Sequence, residues 1–193
     1  MPTGPPDADR LARVRLIAMD VDGVLTDAGI AWGIHDDGSF LESKTFNARD
    51  GLGISVALIA GLEIAWITGR RSALVERRAS ELGVVHVIQR ARDKEVALTG
   101  LVRRLGLEPV QVLYIGDDLN DLPAFEAAGI RVAVADAAPG LQLLAHWVTE
   151  RSGGHGAVRE VLETVLQAQE RWIEGVQSFL ARLREEQTAE ASP

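Results

Sequence analysis

The stretch "VRLIAMDVDGV" (Val14–Val24) joins a short apolar run to two aspartates, Asp20 and Asp22, that stand two positions apart. A short apolar run without polar alternation is typical of a strand buried on both faces of a parallel sheet. Carboxylates at the mouth of a buried strand lose hydration and repel each other. Their presence there therefore indicates a functional site rather than a stabilising feature.

The same strand pattern recurs along the chain, and helical patterns separate its copies. Further apolar runs lie at Leu62–Gly69, Gly83–Gln89, Val110–Asp118, Ile130–Asp136 and His146–Glu150. The helical patterns lie at Gly51–Ala60, Ser72–Leu82, Lys94–Leu105, Asp121–Ala128 and Pro139–Ala145. This alternation predicts an α/β fold, a Rossmann-like three-layer arrangement with helices on both faces of a parallel sheet.

Two segments depart from this alternation. Between Asp27 and Phe46, two apolar stretches flank the turn signal "DDGS", which predicts a β-hairpin that projects after the first strand. From Ala157 to about Arg184, apolar residues recur every three or four positions, which predicts one long helix or two joined helices, with Gly175 as a candidate break. We predict a flexible arm over residues 1–12, one domain over 13–169, and a helical extension and tail over 170–193.

The composition of the chain argues against several classes of function. A net charge of −8 argues against a nucleic-acid partner, which clustered Lys and Arg would bind. The absence of cysteine excludes disulfides and thiolate chemistry. The sequence shows neither a secretory signal pattern nor an apolar run of membrane-spanning length, so we expect a cytoplasmic protein without a membrane partner.

Polar residues with catalytic potential follow the predicted strands. They are Asp20 and Asp22 after the first strand, Thr68, Gly69 and Arg70 after the second, Lys94 after the third, and Asp117, Asp118 and Asp121 after the fourth. Because the C-terminal ends of parallel strands meet at one edge of a sheet, we expect these side chains to converge. Carboxylate ligands without His or Cys favour Mg²⁺. We expect the side chains of Asp20 and Asp117 and the backbone carbonyl of Asp22 to hold this ion.

A phosphate group accounts for the remaining residues. Thr68 can donate its hydroxyl near a helix start, and Lys94 can neutralise phosphoryl oxygens. An aspartate such as Asp20 can attack phosphorus to give an acyl phosphate, while a second carboxyl, Asp22, protonates the leaving oxygen. The residues therefore predict a phosphate ester hydrolase.

These motifs resemble the haloacid dehalogenase superfamily of aspartyl-phosphate phosphatases. The matching segments are "DVDGV" (Asp20–Val24), "ITGR" (Ile67–Arg70), Lys94 and "GDDLND" (Gly116–Asp121). The resemblance implies that Asp20 is the nucleophile, Asp22 the acid/base, and Thr68 and Lys94 the phosphate clamps. It also implies that Mg²⁺ binds to Asp20, Asp22 and Asp117, while Asp118 and Asp121 support the metal site.

A narrower resemblance rests on "KTFNARDGLGI" (Lys44–Ile54), "VAVADA" (Val132–Ala137) and "GGHGAVRE" (Gly153–Glu160). Together with the motifs above, these segments are similar to the 3-deoxy-D-manno-octulosonate 8-phosphate phosphatases, over about Arg15 to Gln169. That family implies a haloacid dehalogenase fold without a cap domain, a homotetramer with shared active sites, and a place in lipopolysaccharide sugar biosynthesis. The substrate contacts that it implies are Asp22, Asn47, Ala48, Arg49, Asp50, Gly51, Thr68, Gly69, Arg70, Arg78 and Lys94.

Three positions depart from this family, and other functions stay open. Ala28 stands where the family usually has Gly, Ser55 where relatives can carry an Arg, and His155 where Lys or Arg is frequent. N-acylneuraminate 9-phosphate or a related nonulosonate phosphate is therefore an alternative substrate, and a phosphorylated macromolecule is another. An alternative of a different class is a non-catalytic regulatory or scaffolding tetramer.

Overall fold

Strands and helices alternate along most of the computed structural model, which describes residues 4–190. The strands are β1 (Leu16–Met19), β2 (Ala31–Ile34), β3 (Phe40–Ser43), β4 (Glu63–Ile67), β5 (His86–Ile88), β6 (Val112–Gly116), β7 (Ile130–Ala133) and β8 (Trp147–Val148). The α-helices are α1 (Ala8–Ala12), α2 (Ala48–Ile59), α3 (Ala73–Leu82), α4 (Lys94–Leu105), α5 (Leu122–Ala127), α6 (Pro139–Gln142), α7 (Ala157–Ala168) and α8 (Trp172–Glu190). The predicted α/β class is confirmed.

Six strands form one parallel sheet in the order β5-β4-β1-β6-β7-β8. The central strand β1 is buried at every position because helices cover both faces of the sheet. The chain first builds outward from β1 to β5 and then crosses to β6 on the other side of β1. The strand order therefore reverses between β1 and β6, and ligands bind at such a switch point, outside the C-terminal ends of the strands.

The helices pack in layers over this sheet. Helix α2 packs against α7 and α8, while α4 packs against α5. Five apolar side chains of α7 recur at helical spacing and are fully buried: Val158, Val161, Leu162, Val165 and Leu166. Among residues 4–190, no helix combines the length and apolar character needed to cross a bilayer.

The hairpin lies apart from the main sheet. Strands β2 and β3 pair antiparallel with each other, and Gly38, at a φ of 81°, closes the turn between them. Trp32, Ile34 and Phe40 are 61%, 72% and 71% exposed, so this ribbon presents an uncovered apolar surface.

The C-terminal helix breaks earlier than predicted. Helices α7 and α8 are separated at Glu170, whose φ is 57°, whereas Gly175 lies inside α8. A Cβ at Gly175 would lie 3.1 Å from Val56 Cγ1 and 3.3 Å from Ala60 Cβ, so this glycine permits close approach of α8 to α2. The helix continues to Glu190, so the tail predicted after about residue 184 is wrong for residues 185–190, while residues 191–193 lie outside the described residues.

The N-terminal arm is more ordered than predicted. Residues 8–12 form helix α1, whose first turn is capped by the Asp7 carboxylate through a 2.9 Å hydrogen bond from Arg10 N. Leu11 is 2% exposed, and α1 packs against α7. A helix of one turn carries little periodic signal in sequence and is stabilised by such packing. Residues 1–3 of the predicted arm lie outside the described residues.

Candidate active site

The C-terminal ends of the central strands surround a cavity of 390 Å³. Its lining is made of Asp20, Asp22, Ala28, Thr68, Gly69, Arg70, Asp117, Asp118, Leu119 and Asn120. The structure therefore brings together the polar residues predicted after the first, second and fourth strands. Lys94 joins them from the first turn of α4, where its ammonium lies 3.0 Å from Asp20 Oδ1.

Local backbone geometry makes this convergence possible. Gly23 follows the two aspartates at a φ of 103°, and a Cβ there would overlap the Asp117 carboxylate. Only glycine meets both requirements, because it tolerates positive φ and has no side chain. The segment after β1 can therefore turn directly beneath the acidic residue that follows β6.

One side of the cavity, here called the buried wall, consists of Asp20, Lys94, Tyr114 and Asp121. The Lys94 side chain is 2% exposed and pairs with Asp121 Oδ1 at 2.6 Å as well as with Asp20. The Tyr114 hydroxyl donates to Asp121 Oδ1 at 2.8 Å. Charge-assisted contacts of this kind are strong when they are shielded from water.

Asp121 organises this wall rather than facing the cavity. Besides Lys94 and Tyr114, the backbone N–H of Asp117 donates to its Oδ2 at 2.9 Å and that of Asp118 at 3.4 Å. Asp118 itself is exposed and accepts a 2.7 Å hydrogen bond from Leu119 N, as a helix cap does. Of the two residues predicted to support the metal site, Asp121 therefore has the closer contact with it.

Two carboxylates of the cavity are held in electrostatically unfavourable positions. Burial, reinforced by the Asp121 charge, raises the pKa of Asp20 to about 6 and that of Asp117 to about 8. Burial lowers the pKa of Lys94, but the neighbouring Asp121 and Asp20 carboxylates outweigh it and leave that pKa above its usual value. Closely spaced carboxylates that are costly to ionise become favourable when a cation joins them.

A divalent cation fits this arrangement. Asp20, Asp117 and Asp121 each offer an oxygen within 4.8 Å of the others. Asp117 Oδ1 is buried and accepts no hydrogen bond from any residue between 4 and 190, and Asp20 Oδ1 has only its ion pair with Lys94. Since the oxygens of Asp121 already accept from several donors, Asp117, which has an unpartnered oxygen, and Asp20, which has fewer partners than Asp121, are the better candidates to bind a metal ion.

The second wall, here called the hairpin wall, is made of Asp22 and Arg70, which line the cavity, and of three residues linked to them by ion pairs and a hydrogen bond: Glu42, Lys44 and Ser72. The Lys44 ammonium donates to Asp22 Oδ1 and lies 3.6 Å from Glu42 Oε1. Arg70 lies 3.9 Å from Asp22 and 3.6 Å from Glu42, and the Ser72 hydroxyl donates to Glu42 at 2.6 Å. The root of the hairpin is thereby tied to the loop after β4.

Thr68 stands between the two walls. It is 2% exposed, and its hydroxyl donates to Asp22 Oδ2 at 3.4 Å and accepts from Arg70 N at 3.2 Å. Gly69 and Arg70 continue the cavity lining from this point. A hydroxyl followed by backbone N–H groups at a loop before α3 is suited to an anion.

Six residues predicted to contact substrate do not line the cavity. Ala48 and Arg49 are exposed beyond it, and the Asn47 amide donates to Gly154 O at 3.1 Å. Gly51 is buried and leaves room for the Arg78 guanidinium, which pairs with Glu81 at 3.3 Å. Within one chain, these residues therefore lie outside the lining of the cavity.

Asp50 contacts the start of α7 within its own chain, and its predicted contact with substrate stays a prediction. Its carboxylate is 1% exposed and accepts hydrogen bonds from Gly156 N at 3.2 Å and Arg159 N at 2.7 Å, the first turn of α7. Burial raises its pKa, although these hydrogen bonds oppose the shift. Asp50 therefore acts as a helix cap for α7, which sequence distance concealed.

The Gly153–Gly154 turn is a supporting element that the sequence did not reveal. Gly154 N donates to Val24 O at 2.9 Å, and a Cβ on Gly153 would overlap the carbonyl of Gly23. The turn therefore presses directly on the loop that carries Asp22. Its glycines are adjacent in "GGHGAVRE", but nothing local in that motif indicates which backbone they contact.

The backbone at Ala28 has a conformation that favours glycine. It lines the cavity at a φ of 61°, a left-handed conformation that costs an ordinary residue roughly 1–2 kcal/mol. Of the other two departures, Ser55 donates to Gly51 O at 3.2 Å within α2, and the His155 ring lies 2.8 Å from Gly153 O. Neither of these two residues lines the cavity.

The fold agrees with comparison to known proteins. A sequence profile of haloacid dehalogenase-like hydrolases matches residues 64–162. The chain belongs to the haloacid dehalogenase-like hydrolase family, as the four motifs predict.

The chain is also similar over most of its length to individual members of this family. The chain is 46% identical over 169 residues to the 3-deoxy-D-manno-octulosonate 8-phosphate phosphatase KdsC of Escherichia coli strain K12, covering 86% of this chain and 88% of the relative. Its fold is similar, with a TM-score of 0.82 and 41% identity, to the Moraxella catarrhalis 3-deoxy-D-manno-octulosonate 8-phosphate phosphatase in complex with magnesium, phosphate and KDO. That match covers 89% of this chain and 97% of the other. The cobalt-bound Haemophilus influenzae phosphatase YrbI is similar with a TM-score of 0.79 and 36% identity, over 87% and 99% of the two chains.

Proposed function

We propose that this protein is a Mg²⁺-dependent phosphatase that hydrolyses 3-deoxy-D-manno-octulosonate 8-phosphate. The observation that carries the proposal is the pairing of Asp20 with Lys94, beside the unpartnered Asp117 Oδ1, in a chain 46% identical to phosphatases of that name. A scaffold needs neither the buried lysine nor the unpartnered carboxylate oxygen, since both are costly to bury.

Asp20 is the proposed nucleophile. Its carboxylate oxygen forms a bond to phosphorus as the bond from phosphorus to the sugar oxygen breaks, which gives an acyl phosphate. Asp22 donates a proton to the leaving sugar oxygen and then accepts a proton from the water that attacks the acyl phosphate. Free Asp20 and inorganic phosphate result.

Thr68 and Lys94 are the proposed phosphate clamps. The Lys94 ammonium, already held by Asp20 and Asp121, neutralises charge on the phosphoryl oxygens, and the Thr68 hydroxyl donates from its position between the two walls. Asp20, Asp117 and the backbone carbonyl of Asp22 would hold Mg²⁺, which supplies further positive charge to the phosphoryl group.

The remaining substrate contacts come from Arg70 and, in an assembly, from residues outside the cavity. Arg70 lies at the cavity lining, whereas Arg78 and the segment Asn47–Gly51 lie beyond it. We propose a homotetramer with shared sites in which the apolar outer surface of the hairpin is covered by neighbouring copies. The exposed Trp32, Ile34 and Phe40 support such an interface. A cytoplasmic location stays a prediction.

A substrate comparison tests the proposed activity. Purified protein is assayed for phosphate release from 3-deoxy-D-manno-octulosonate 8-phosphate and from N-acetylneuraminate 9-phosphate, with Mg²⁺ and with a chelator. We expect the octulosonate ester to have the higher kcat/KM and the chelator to abolish turnover. A higher kcat/KM for the nonulosonate ester would transfer the assignment to the alternative substrate, and no turnover of either would favour a non-catalytic role.

The assembly is tested by sedimentation velocity at micromolar concentration of the wild type and of Trp32→Glu, with Arg77→Glu as a control on an exposed face of α3. A charge at Trp32 would have to be desolvated in the proposed interface, so we expect a tetramer for the wild type and smaller species for Trp32→Glu. A wild-type monomer at micromolar concentration would contradict the shared sites.

A further inference from the structure

The use of lysine in this chain is unusual. Of its 20 Lys and Arg residues, only Lys44 and Lys94 are lysines. Both lysine side chains are 2% exposed, and both pair with a carboxylate of the cavity. Lysine is ordinarily a surface residue and is almost never fully buried unless it is paired. Lys94 has a proposed role in binding phosphate, whereas Lys44 has none so far.

Lys44 follows β3 at the root of the hairpin, and its ammonium is held in place by acidic neighbours. It donates to Asp22 Oδ1 and lies 3.6 Å from Glu42 Oε1. Glu42 is fixed in turn by the 2.6 Å hydrogen bond from the Ser72 hydroxyl. The ammonium is therefore positioned by the ribbon and by the loop before α3, and it has little freedom to swing into the cavity.

These contacts hold the Asp22 carboxylate from both edges. Lys44 occupies Oδ1, and the Thr68 hydroxyl lies 3.4 Å from Oδ2. Thr68 lines the cavity, so Oδ2 is the oxygen on the side where a phosphoryl group would bind. A carboxylate that serves as acid and then as base needs one oxygen kept at a constant distance from the reacting atoms.

We propose that Lys44 is a positioning residue that fixes the Asp22 carboxylate so that Oδ2 transfers the proton to the leaving oxygen. This role rests on the proposed phosphatase function. The hairpin is then part of the catalytic apparatus of its own chain, in addition to any role in assembly.

The ammonium suits this position better than a guanidinium. Lysine presents a compact charge on a flexible stem, whereas arginine presents a planar fork that requires matched acceptors on two sides. Asp22 Oδ1 and Glu42 Oε1 leave a small buried space between them, and Arg70 already approaches the same two carboxylates from the exposed side.

Kinetics with two leaving groups test the role. Lys44→Met keeps the length of the side chain without its charge, Lys44→Arg keeps the charge, and Arg77→Met serves as control because that side chain is 79% exposed. For octulosonate 8-phosphate, whose alkoxide must be protonated, we expect Lys44→Met to lower kcat about 10²-fold with little change in KM. For p-nitrophenyl phosphate, whose leaving group needs no proton, we expect the rate of phosphoryl transfer to Asp20, measured as the burst of p-nitrophenol, to fall less than about 5-fold, because this step needs no acid.

Lys44→Arg should recover part of the kcat for the octulosonate ester, and Arg77→Met should match the wild type. A loss in the p-nitrophenol burst rate as large as the loss of kcat for the octulosonate ester in Lys44→Met would overturn the proposal, because it would indicate a role in phosphate binding or in folding. Unchanged kcat for both substrates would overturn it as well.

A spectroscopic measurement keeps the proposal testable if Lys44→Met does not fold. Protein labelled with ¹³C at lysine Cε yields two lysine signals, which Lys44→Arg assigns. Asp22→Asn should shift the Lys44 signal and leave that of Lys94, whereas Asp121→Asn should do the reverse. A Lys44 signal that is unaffected by Asp22→Asn would show that the ion pair is absent in solution and would overturn the proposal.

The proposed phosphatase function and the proposed role of Lys44 are contradicted by different results. A wild type that does not hydrolyse octulosonate 8-phosphate contradicts the proposed function. In that case the ratio between another alkyl phosphate and p-nitrophenyl phosphate, together with the lysine signals, still decides the role of Lys44. If the wild type hydrolyses the ester and Lys44→Met does so with the same kcat, only the role of Lys44 is contradicted.

Discussion

Asp20 and Asp22 stand two residues apart, yet each is held by a different lysine from a different kind of structure. Asp20 pairs with Lys94, which begins a helix packed in the body of the domain. Asp22 pairs with Lys44, at the root of a two-stranded ribbon whose outer surface is exposed. A lysine–aspartate ion pair is therefore formed once by a helix of the core, as Lys94–Asp20, and once by the root of the hairpin, as Lys44–Asp22.

The two walls should therefore contribute differently to the stability of the protein. On the buried wall, Asp121 accepts from Lys94, Tyr114 and two backbone N–H groups, so the loss of one partner leaves other charges without compensation. On the hairpin wall, Glu42 and Arg70 are 20% and 36% exposed, and water can replace part of each contact. The buried wall should therefore matter for both stability and turnover, and the hairpin wall mainly for turnover.

The largest expected effect is that of Asp20→Asn. We expect kcat to fall by at least about 10⁴-fold, because an amide cannot form the acyl phosphate. The melting temperature without metal should not fall, since the change removes repulsion between Asp20 and Asp121. Phosphate release and thermal unfolding are measured beside Asp36→Asn in the exposed hairpin turn. Activity above about 1% of wild type would remove Asp20 as the nucleophile.

Asp121→Ala should show how much the buried wall contributes to the free energy of unfolding. We expect the free energy of unfolding to drop by about 3–5 kcal/mol, because Lys94 and Tyr114 lose a buried partner. Asp118→Ala, which removes an exposed cap, should cost only about 1 kcal/mol. Urea unfolding of both variants checks the contrast. Equal losses would mean that the buried wall is not anchored by Asp121.

The pH dependence without metal tests the unfavourable carboxylates of the cavity. The pKa values of Asp20 and Asp117 rise from 3.8 to about 6 and about 8 in the folded protein. The folded state therefore binds more protons than the unfolded state within this range, and stability is lost as the pH rises through 6 and 8. We expect the melting temperature of metal-free protein to fall over that window.

Magnesium should reduce this loss. An ion present at about a hundred times its dissociation constant adds about 2.7 kcal/mol to the free energy of unfolding. Thermal unfolding at several pH values, with Mg²⁺ and with a chelator, measures both effects. Asp117→Asn should weaken the pH dependence and abolish the response to Mg²⁺. A response that survives this substitution would place the metal ion elsewhere.

The smallest effect is expected for Glu42→Gln on the hairpin wall. The amide keeps the shape and a hydrogen bond to Ser72, but it removes the charge beside Lys44 and Arg70. We expect a loss of about 1 kcal/mol in the free energy of unfolding, as for partly exposed ion pairs. Urea unfolding checks this value. A loss as large as that of Asp121→Ala would show that the hairpin is anchored as firmly as the core.

Sequence reasoning succeeded where the relevant contacts are local or follow from the order of strands. The helix Lys94–Leu105 matches its prediction, and the ends of β1, β4 and β6 bring Asp20, Thr68 and Asp117 together. Element ends were less accurate. Helix α2 begins at Ala48 because the Asn47 side chain caps it, three residues before the predicted start at Gly51.

Sequence reasoning failed where a side chain could find its partner far along the chain. The motif around Asp50 did not indicate that its carboxylate caps α7, more than a hundred residues away. Tyr114 is the only tyrosine of the chain and lies in an apolar strand, so nothing local distinguished it from a core residue. For Lys44, the rarity of lysine was a signal that could have been used.

The sequence by itself determined the α/β alternation, the edge of the sheet at which the acidic residues gather, and the family to which the chain belongs. These follow from apolar periodicity and from residue types at fixed spacing, which are local properties. Only the tertiary structure decided which donor holds each carboxylate: Lys94 for Asp20 and Asp121, Lys44 for Asp22, and the start of α7 for Asp50. Such pairings depend on how packed elements approach one another, and a buried charge accepts whichever partner that approach supplies.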